Sequence, residues 1–195
     1  MKHLPIILAS SSPFRRALLK KLELDFESIS PEIDETPQTD ESPQILVKRL
    51  GIEKARAATP GYGALIIGSD QVAVLDGEII GKPKDHEDAV RQLSRASGST
   101  VMLYASVALL NSKTGNLQCD IDSFEVTYRE LTRVQIENYL LREKPYNCCG
   151  SLKAEGLGVS LLSRLRGDDP NTLIGLPLIK LVSMLNAEGV NPIPS

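Results

Sequence analysis

Apolar positions along this chain come in short blocks that switch between two periods. Residues 6–9 are an uninterrupted apolar run followed by three serines, the pattern of a buried strand that ends in a loop. Ser12-Pro13 then predicts a helix start, with Ser as cap, Pro in the first turn, and Leu18, Leu19 and Leu22 at helical spacing. Residues 26–30 return to a strand pattern, and 31–42 form a Pro-rich acidic loop. A helix follows over about 43–58, apolar at Ile45, Leu46, Leu50 and Ile52 and basic at Lys48, Arg49, Lys54 and Arg56. Residues 64–75 read as a strand interrupted chemically by Gly68-Ser69-Asp70-Gln71, and Asp76-Gly77 predicts a hairpin turn into 78–80. Residues 85–96 are helical with Asp85 as cap. Two long β segments, 101–110 and 118–128, join near Thr114-Gly115. Helices over 132–141, capped by Thr132, and over 177–185 complete the chain. Interleaved strands and helices with some hairpins predict an α/β fold with a mixed sheet, without internal repeats or low-complexity linkers.

Composition narrows what such a fold can do. With 195 residues the chain fits one large domain or two small lobes sharing a cleft, long enough to bury a core without disulfides or a structural metal. The net charge is −3 with both signs mixed, so the basic face that a nucleic-acid duplex demands is missing. A small anion held by a few placed cations stays open. The three cysteines, Cys119, Cys148 and Cys149, suit neither a secreted disulfide framework nor a zinc knuckle and read as reduced thiols. The apolar run after His3 is shorter than a signal-peptide core and meets Pro13, Arg15 and Arg16 at once, so a cytoplasmic protein is expected. No stretch approaches membrane-spanning length.

Several segments carry candidate chemistry. Ser10-Ser11-Ser12-Pro13-Phe14-Arg15-Arg16 places a serine loop before a helix N-terminus, where free N–H groups and the helix dipole favour an anion. Arginines in that first turn oppose the dipole and suit phosphate, although a routine capped helix with exposed arginines reads equally well. Asp70, inside an apolar run, is costly to bury unpaired; a metal or a proton taken from water would account for it, as would a local bulge in which it caps an N–H. Lys82, in Gly81-Lys82-Pro83, could meet a phosphate or merely occupy a turn. Glu32, Asp34 and Glu35 could hold Mg²⁺ through one or two carboxylates, or form a solvated loop, and Lys54 is similarly ambiguous. His3 and His86 receive no catalytic role. Ser10 and Ser12 lack a histidine partner for a serine-hydrolase triad, and the Walker A loop and the dinucleotide glycine fingerprint are absent.

Taken in order, Ser-x-Ser-Pro-x-Arg-Arg, Asp34-Glu35, Glu53-Lys54-Ala55, Gly68-Ser69-Asp70, Gly81-Lys82-Pro83 and Gly175-Leu176-Pro177-Leu178 resemble the Maf family over about residues 6–186. The resemblance implies a single Maf-like domain over 1–195, of Maf/ITPase-like fold: a mixed twisted sheet with flanking helices, in two lobes around a deep nucleotide-binding cleft. It implies a nucleoside-triphosphate pyrophosphatase that uses a divalent cation, Mg or Mn, and pairs as a homodimer. By that analogy Asp70 accepts the proton of the attacking water. Ser10, Ser12, Arg15, Lys54 and Lys82 hold the phosphates, and Glu35, with Asp70, positions the metal. Phe14, Gln71 and Glu155 together are similar to the YceF subgroup, whose substrate is 7-methyl-GTP. Ala105-Ser106 replaces that family's usual Thr-Gly, and Ser99-Thr100 lacks the His often seen there.

Glu155 and Phe14 also make physical sense for that base. A carboxylate at Glu155 accepts from both N1–H and N2–H of guanine, whereas adenine would set its N1 acceptor against the charge. Phe14 stacked on the positive 7-methyl base would add about 0.5–2 kcal/mol. On the residues alone, an exposed Glu155 paired with Lys153 is the stronger reading. The alternatives are the same chemistry on dTTP or UTP, against which Gln71 and Glu155 argue, and a non-catalytic nucleotide-binding regulator of septum formation. An RNA-binding module would need a basic platform with aromatics, which the chain lacks.

Overall fold

The computed structural model describes residues 3–193. In chain order the elements are β1 (Ile6–Ala9), α1 (Pro13–Lys20), β2 (Phe26–Ile29), α2 (Pro43–Ala57), β3 (Leu65–Gly68), β4 (Gln71–Leu75), β5 (Glu78–Ile80), α3 (His86–Ala96), β6 (Thr100–Asn111), β7 (Leu117–Tyr128), α4 (Arg133–Glu143), β8 (Leu162–Gly167) and α5 (Leu178–Ala187). Short 3₁₀ turns occupy Cys149–Ser151 and Leu157–Leu161. The result is a mixed α/β structure, a mixed sheet flanked by helices. Among the described residues no helix is long and apolar enough to cross a membrane.

The chain divides into two compact units. The first holds residues through Gln71, then Ala105–Asp122, then residues from Asp169 onward. In it β1 pairs in parallel with β2 and β3, while β3 pairs antiparallel with β6. Strands β1 and β3 are buried at every position, which explains their continuous apolar sequence. Their alternating side chains feed two cores. Ile6, Leu8, Leu65 and Ile67 pack with Leu18 and Leu19 of α1 and with Leu181 and Leu185 of α5. Ile7, Ala9 and Ile66 face Ala55 of α2 and the nearby Ala58. Small residues let α2 come very close. A Cβ at Gly68 would lie 2.7 Å from the Ala55 backbone nitrogen, so the glycine permits the approach that brings Lys54 to the end of β3.

The second unit holds Val72–Tyr104 and Ser123–Asp168. Its β4 pairs antiparallel with β5 and lies beside β6, and β7 pairs with β6 and β8. Asp85 caps α3 by accepting from Asp88 N–H at 2.7 Å, and Thr132 with Gln135 forms a capping box on α4. Val90, Leu93, Val101, Leu103, Val126, Ile136 and Leu140 are buried in this unit.

The structure departs from the sequence pattern in three places. The apolar run over 64–75 is two strands, not one, because Ser69-Asp70 leaves the ladder between β3 and β4. Helix α1 stops at Lys20, and Leu22 follows it in a turn with its N–H on the Leu19 carbonyl. Strand β8 has no counterpart in the hydrophobic pattern: apart from Leu162 it is exposed, so no buried face imposes a period of two on its sequence.

Candidate active site

In the first unit, the serine loop and the start of α1 are built by their own hydroxyls. Ser10 Oγ accepts from Ser12 N–H at 3.1 Å, and Ser12 caps the helix by accepting from Arg15 N–H at 3.4 Å. Ser10 is buried and Ser12 half-buried, with Phe14 partly exposed in the first turn. Arg15 does not point freely into solvent. Its Nε donates to the Gly175 carbonyl at 2.8 Å, and one terminal nitrogen lies 4.0 Å from Asp70 Oδ1. Arg16 is exposed.

Asp70 sits in the break between β3 and β4, 7% exposed. Ser106 fixes its backbone twice, accepting from Asp70 N–H through Oγ at 3.0 Å and donating its own N–H to the Asp70 carbonyl at 2.8 Å. The same Ser106 hydroxyl donates to the Val47 carbonyl of α2 at 2.5 Å. Lys54, 6% exposed, reaches Asp70 Oδ1 at 2.7 Å and Glu35 Oε1 at 2.9 Å. One buried ammonium thus joins two carboxylates, one buried and one more than half exposed. Ser69 is fully buried and donates to the same Gly175 carbonyl that Arg15 uses, at 2.9 Å.

Gln71 commits its amide to the loop before α5. Its Nε2 donates to the Thr172 and Leu173 carbonyls at 2.8 and 3.2 Å. Gly175, in that loop, has φ of +119°, a conformation open to glycine and costly for other residues. A Cβ there would also approach Gln71 Oε1 to 3.3 Å. Of the remaining acidic-loop residues, Asp34 accepts from Thr36 N–H at 2.9 Å, and the Thr36 side chain first, then that N–H, hold its carboxyl below the usual range; Glu32 is exposed.

The structure therefore brings together Ser10, Ser12, Arg15, Glu35, Lys54, Asp70 and Gln71 within one unit. Lys82 and Glu155 belong to the second unit, and both are exposed. Lys153 does not take Glu155 as its closest partner: its ammonium meets Glu143 at 2.6 Å. Burial first, and then the Glu155 charge, pushes the Cys148 thiol up to about 11. His86 bridges Glu137 and Tyr146 at 2.7 and 2.9 Å, neither of them a residue assigned to catalysis. Sequence reasoning passed over Ser69, Ser106 and the Gly175 carbonyl as supports. Ser69 and Gly175 stood inside motifs already singled out, and Ser106 carried a signal of its own, as a polar residue inside the long apolar run of β6.

A divalent cation can be tested against this arrangement. Among the described residues no group of three or more His, Cys, Asp and Glu side chains is arranged to hold a metal. Glu35 and Asp70 nevertheless converge on one cationic centre, the Lys54 ammonium. Two carboxylates completed by phosphate oxygens and water fit the habit of Mg²⁺, so the donor set suits an ion that arrives with a phosphate ligand.

Among solved structures, the chain is similar to the Ham1 protein of Staphylococcus aureus, at 15% identity and a TM-score of 0.47, over 65% of this chain and 72% of that one. The family model for Maf-like proteins matches residues 5–188, nearly the full length and every residue assigned to the site, and this chain belongs to that family.

Proposed function

We propose that this protein hydrolyses a nucleoside triphosphate between its α- and β-phosphates, and that 7-methyl-GTP is its substrate. Family membership suggests nucleotide pyrophosphatase activity. The observation that carries the reading is Asp70: a buried carboxylate whose Oδ1 faces Lys54 at 2.7 Å and Arg15 at 4.0 Å, beside a serine loop that opens a helix. Such a group can take a proton while cations beside it meet phosphate oxygens.

In the proposed reaction a water attacks the α-phosphorus as Asp70 accepts its proton. The bond from that phosphorus to the bridging oxygen breaks, giving nucleoside monophosphate and pyrophosphate. Arg15, held by the Gly175 carbonyl, presents its remaining N–H groups to the phosphates, and Lys54 supplies a buried positive charge. Ser10 and Ser12 shape the loop and can donate their hydroxyl protons. Glu35 and Asp70 would hold the divalent cation, which supplies charge neutralisation on the phosphate oxygens. Lys82 and Glu155 take phosphate and base roles from the family resemblance. The exposure of Glu155 and the pairing of Lys153 with Glu143 leave the Glu155 carboxylate able to accept from guanine. Phe14 would stack on the methylated base. Gln71 takes its base-specificity role from the family resemblance, and its Nε2 serves the loop before α5.

The test is pyrophosphate release with Mg²⁺ or Mn²⁺ across 7-methyl-GTP, GTP, dTTP, UTP, CTP and ATP, with the oligomeric state followed by light scattering. A strong preference for 7-methyl-GTP supports the full reading, and Glu155→Gln should then reduce the preference for guanine. A preference for dTTP or UTP keeps the chemistry and removes Phe14, Gln71 and Glu155 from the base assignment. Binding without turnover favours a nucleotide-binding regulator.

A further inference from the structure

In the second unit, Lys82 and Glu155 lie far apart in sequence and both are exposed, yet the segments that bear them are tied to one side chain, Gln92, through Gly81 and Ser151. The Gly81 carbonyl, next to Lys82, accepts from Gly150 N–H at 3.1 Å and from Gln92 Nε2 at 3.3 Å. Gln92 stands on α3, and its other amide atom, Oε1, accepts from Ser151 Oγ at 2.7 Å. Ser151 is fully buried with φ of +57°, a left-handed conformation uncommon for a residue with a side chain. Its carbonyl accepts from the Tyr139 hydroxyl at 3.1 Å, and that hydroxyl accepts from Lys153 N–H at 3.0 Å. Further along, Glu143 receives both Lys153 Nζ and Leu157 N–H. The segment bearing Glu155 is thus pinned at 151, 153 and 157, and Gln92 is the side chain that joins it to the segment bearing Lys82.

The geometry points to Gln92 as a positioning residue that sets the Lys82 ammonium and the Glu155 carboxylate in fixed relation, so that a triphosphate contact and a guanine contact are made together. A primary amide is suited to this task because it donates to one segment and accepts from the other. A carboxylate or an aliphatic side chain of the same length can satisfy at most one of the two. The inference rests on the phosphate and base roles proposed above for Lys82 and Glu155.

Two substitutions separate the halves of the bridge. Gln92→Glu keeps the acceptor for Ser151 and loses the donor to Gly81, so KM for the triphosphate should rise about fivefold to tenfold with kcat little changed and nucleotide ranking intact. Ser151→Ala keeps the Gly81 bond and releases the other side, so the guanine preference should narrow by about fivefold. If the wild-type protein turns over and neither variant moves KM or ranking, or both merely lower kcat together, the positioning role is overturned. If the wild-type protein does not turn over, the functional reading fails. The bridge is then judged by amide hydrogen exchange in Gln92→Glu and Gln92→Leu. Faster exchange in residues 78–84 and 150–157 together sustains the coupling, and a change confined to one segment removes it.

Discussion

Asp169 and Asp70 are both buried carboxylates of the first unit, 2% and 7% exposed. Around Asp169 the donors belong to the chain just after it. Asn171 N–H and Ile179 N–H each donate at 2.8 Å, and Asn171 Nδ2 donates at 2.7 Å. The carboxylate closes the loop before α5 and caps that helix, whose own N-cap position, Pro177, makes no side-chain bond. Around Asp70 the partners are cations from elsewhere, Lys54 of α2 and Arg15 of α1, and both contacts fall on Oδ1. The difference teaches that burial of a carboxylate does not by itself mark catalysis. Fixed backbone dipoles hold Asp169 in one geometry, whereas long cationic side chains can shift their contacts to an arriving phosphate. What sets Asp70 apart from Asp169 is its partners, two cations in place of backbone donors.

The largest expected effect comes from removing the charge that those cations face. Asp70→Asn should lower pyrophosphate release by about 10²–10⁴-fold, while the thermal unfolding midpoint moves little. Near-normal turnover would end its role as base. Asp169→Ala should act the other way, costing about 2–4 kcal/mol in urea denaturation through three lost hydrogen bonds, with kcat per folded molecule changing less than tenfold. If instead that variant kept its stability and lost turnover as Asp70→Asn does, the contrast between the two aspartates would collapse. Ser106→Ala removes the hydroxyl that holds the Asp70 N–H and the Val47 carbonyl, and should cost about 1–2 kcal/mol with kcat down about fivefold. An effect on stability alone would show that Asp70 keeps its place without that support.

Glu143, in the second unit, sharpens the comparison because it has both kinds of partner. The Lys153 ammonium is the larger cause and Leu157 N–H the next, and together they hold its carboxyl below the usual glutamate range. A carboxylate depressed in the folded state contributes stability that is present above its unfolded value and lost as pH falls through the folded one. The unfolding midpoint should therefore decline below about pH 4, and Glu143→Gln should flatten that decline. An unchanged acid slope in the variant would mean that the pair forms equally well in the unfolded chain. This is the smallest of the four effects, since the pair is close to solvent and screened.

Much of this protein was written locally. The serine cap and Pro13 at α1, Asp85 at α3 and Thr132 at α4 stand where side-chain chemistry demands them, because a cap is an interaction between residues three apart. The buried runs of β1 and β3 and the Asp76-Gly77 turn were equally legible, as was the ordered set of motifs that matched the family. What the chain did not reveal depends on pairs distant along it. Lys54 meets Asp70 across 16 residues, Ser106 meets Asp70 across 36, and Arg15 meets Gly175 across 160. No local pattern encodes such contacts; they exist because apolar faces of β1, β3 and α2 exclude water and bring distant polar groups together in its absence. For the same reason β8, which buries almost nothing, left no trace in the pattern. The sequence determined which elements form and where they start, and the tertiary structure decided which charges meet, since only packing can make a charge too costly to leave unpaired.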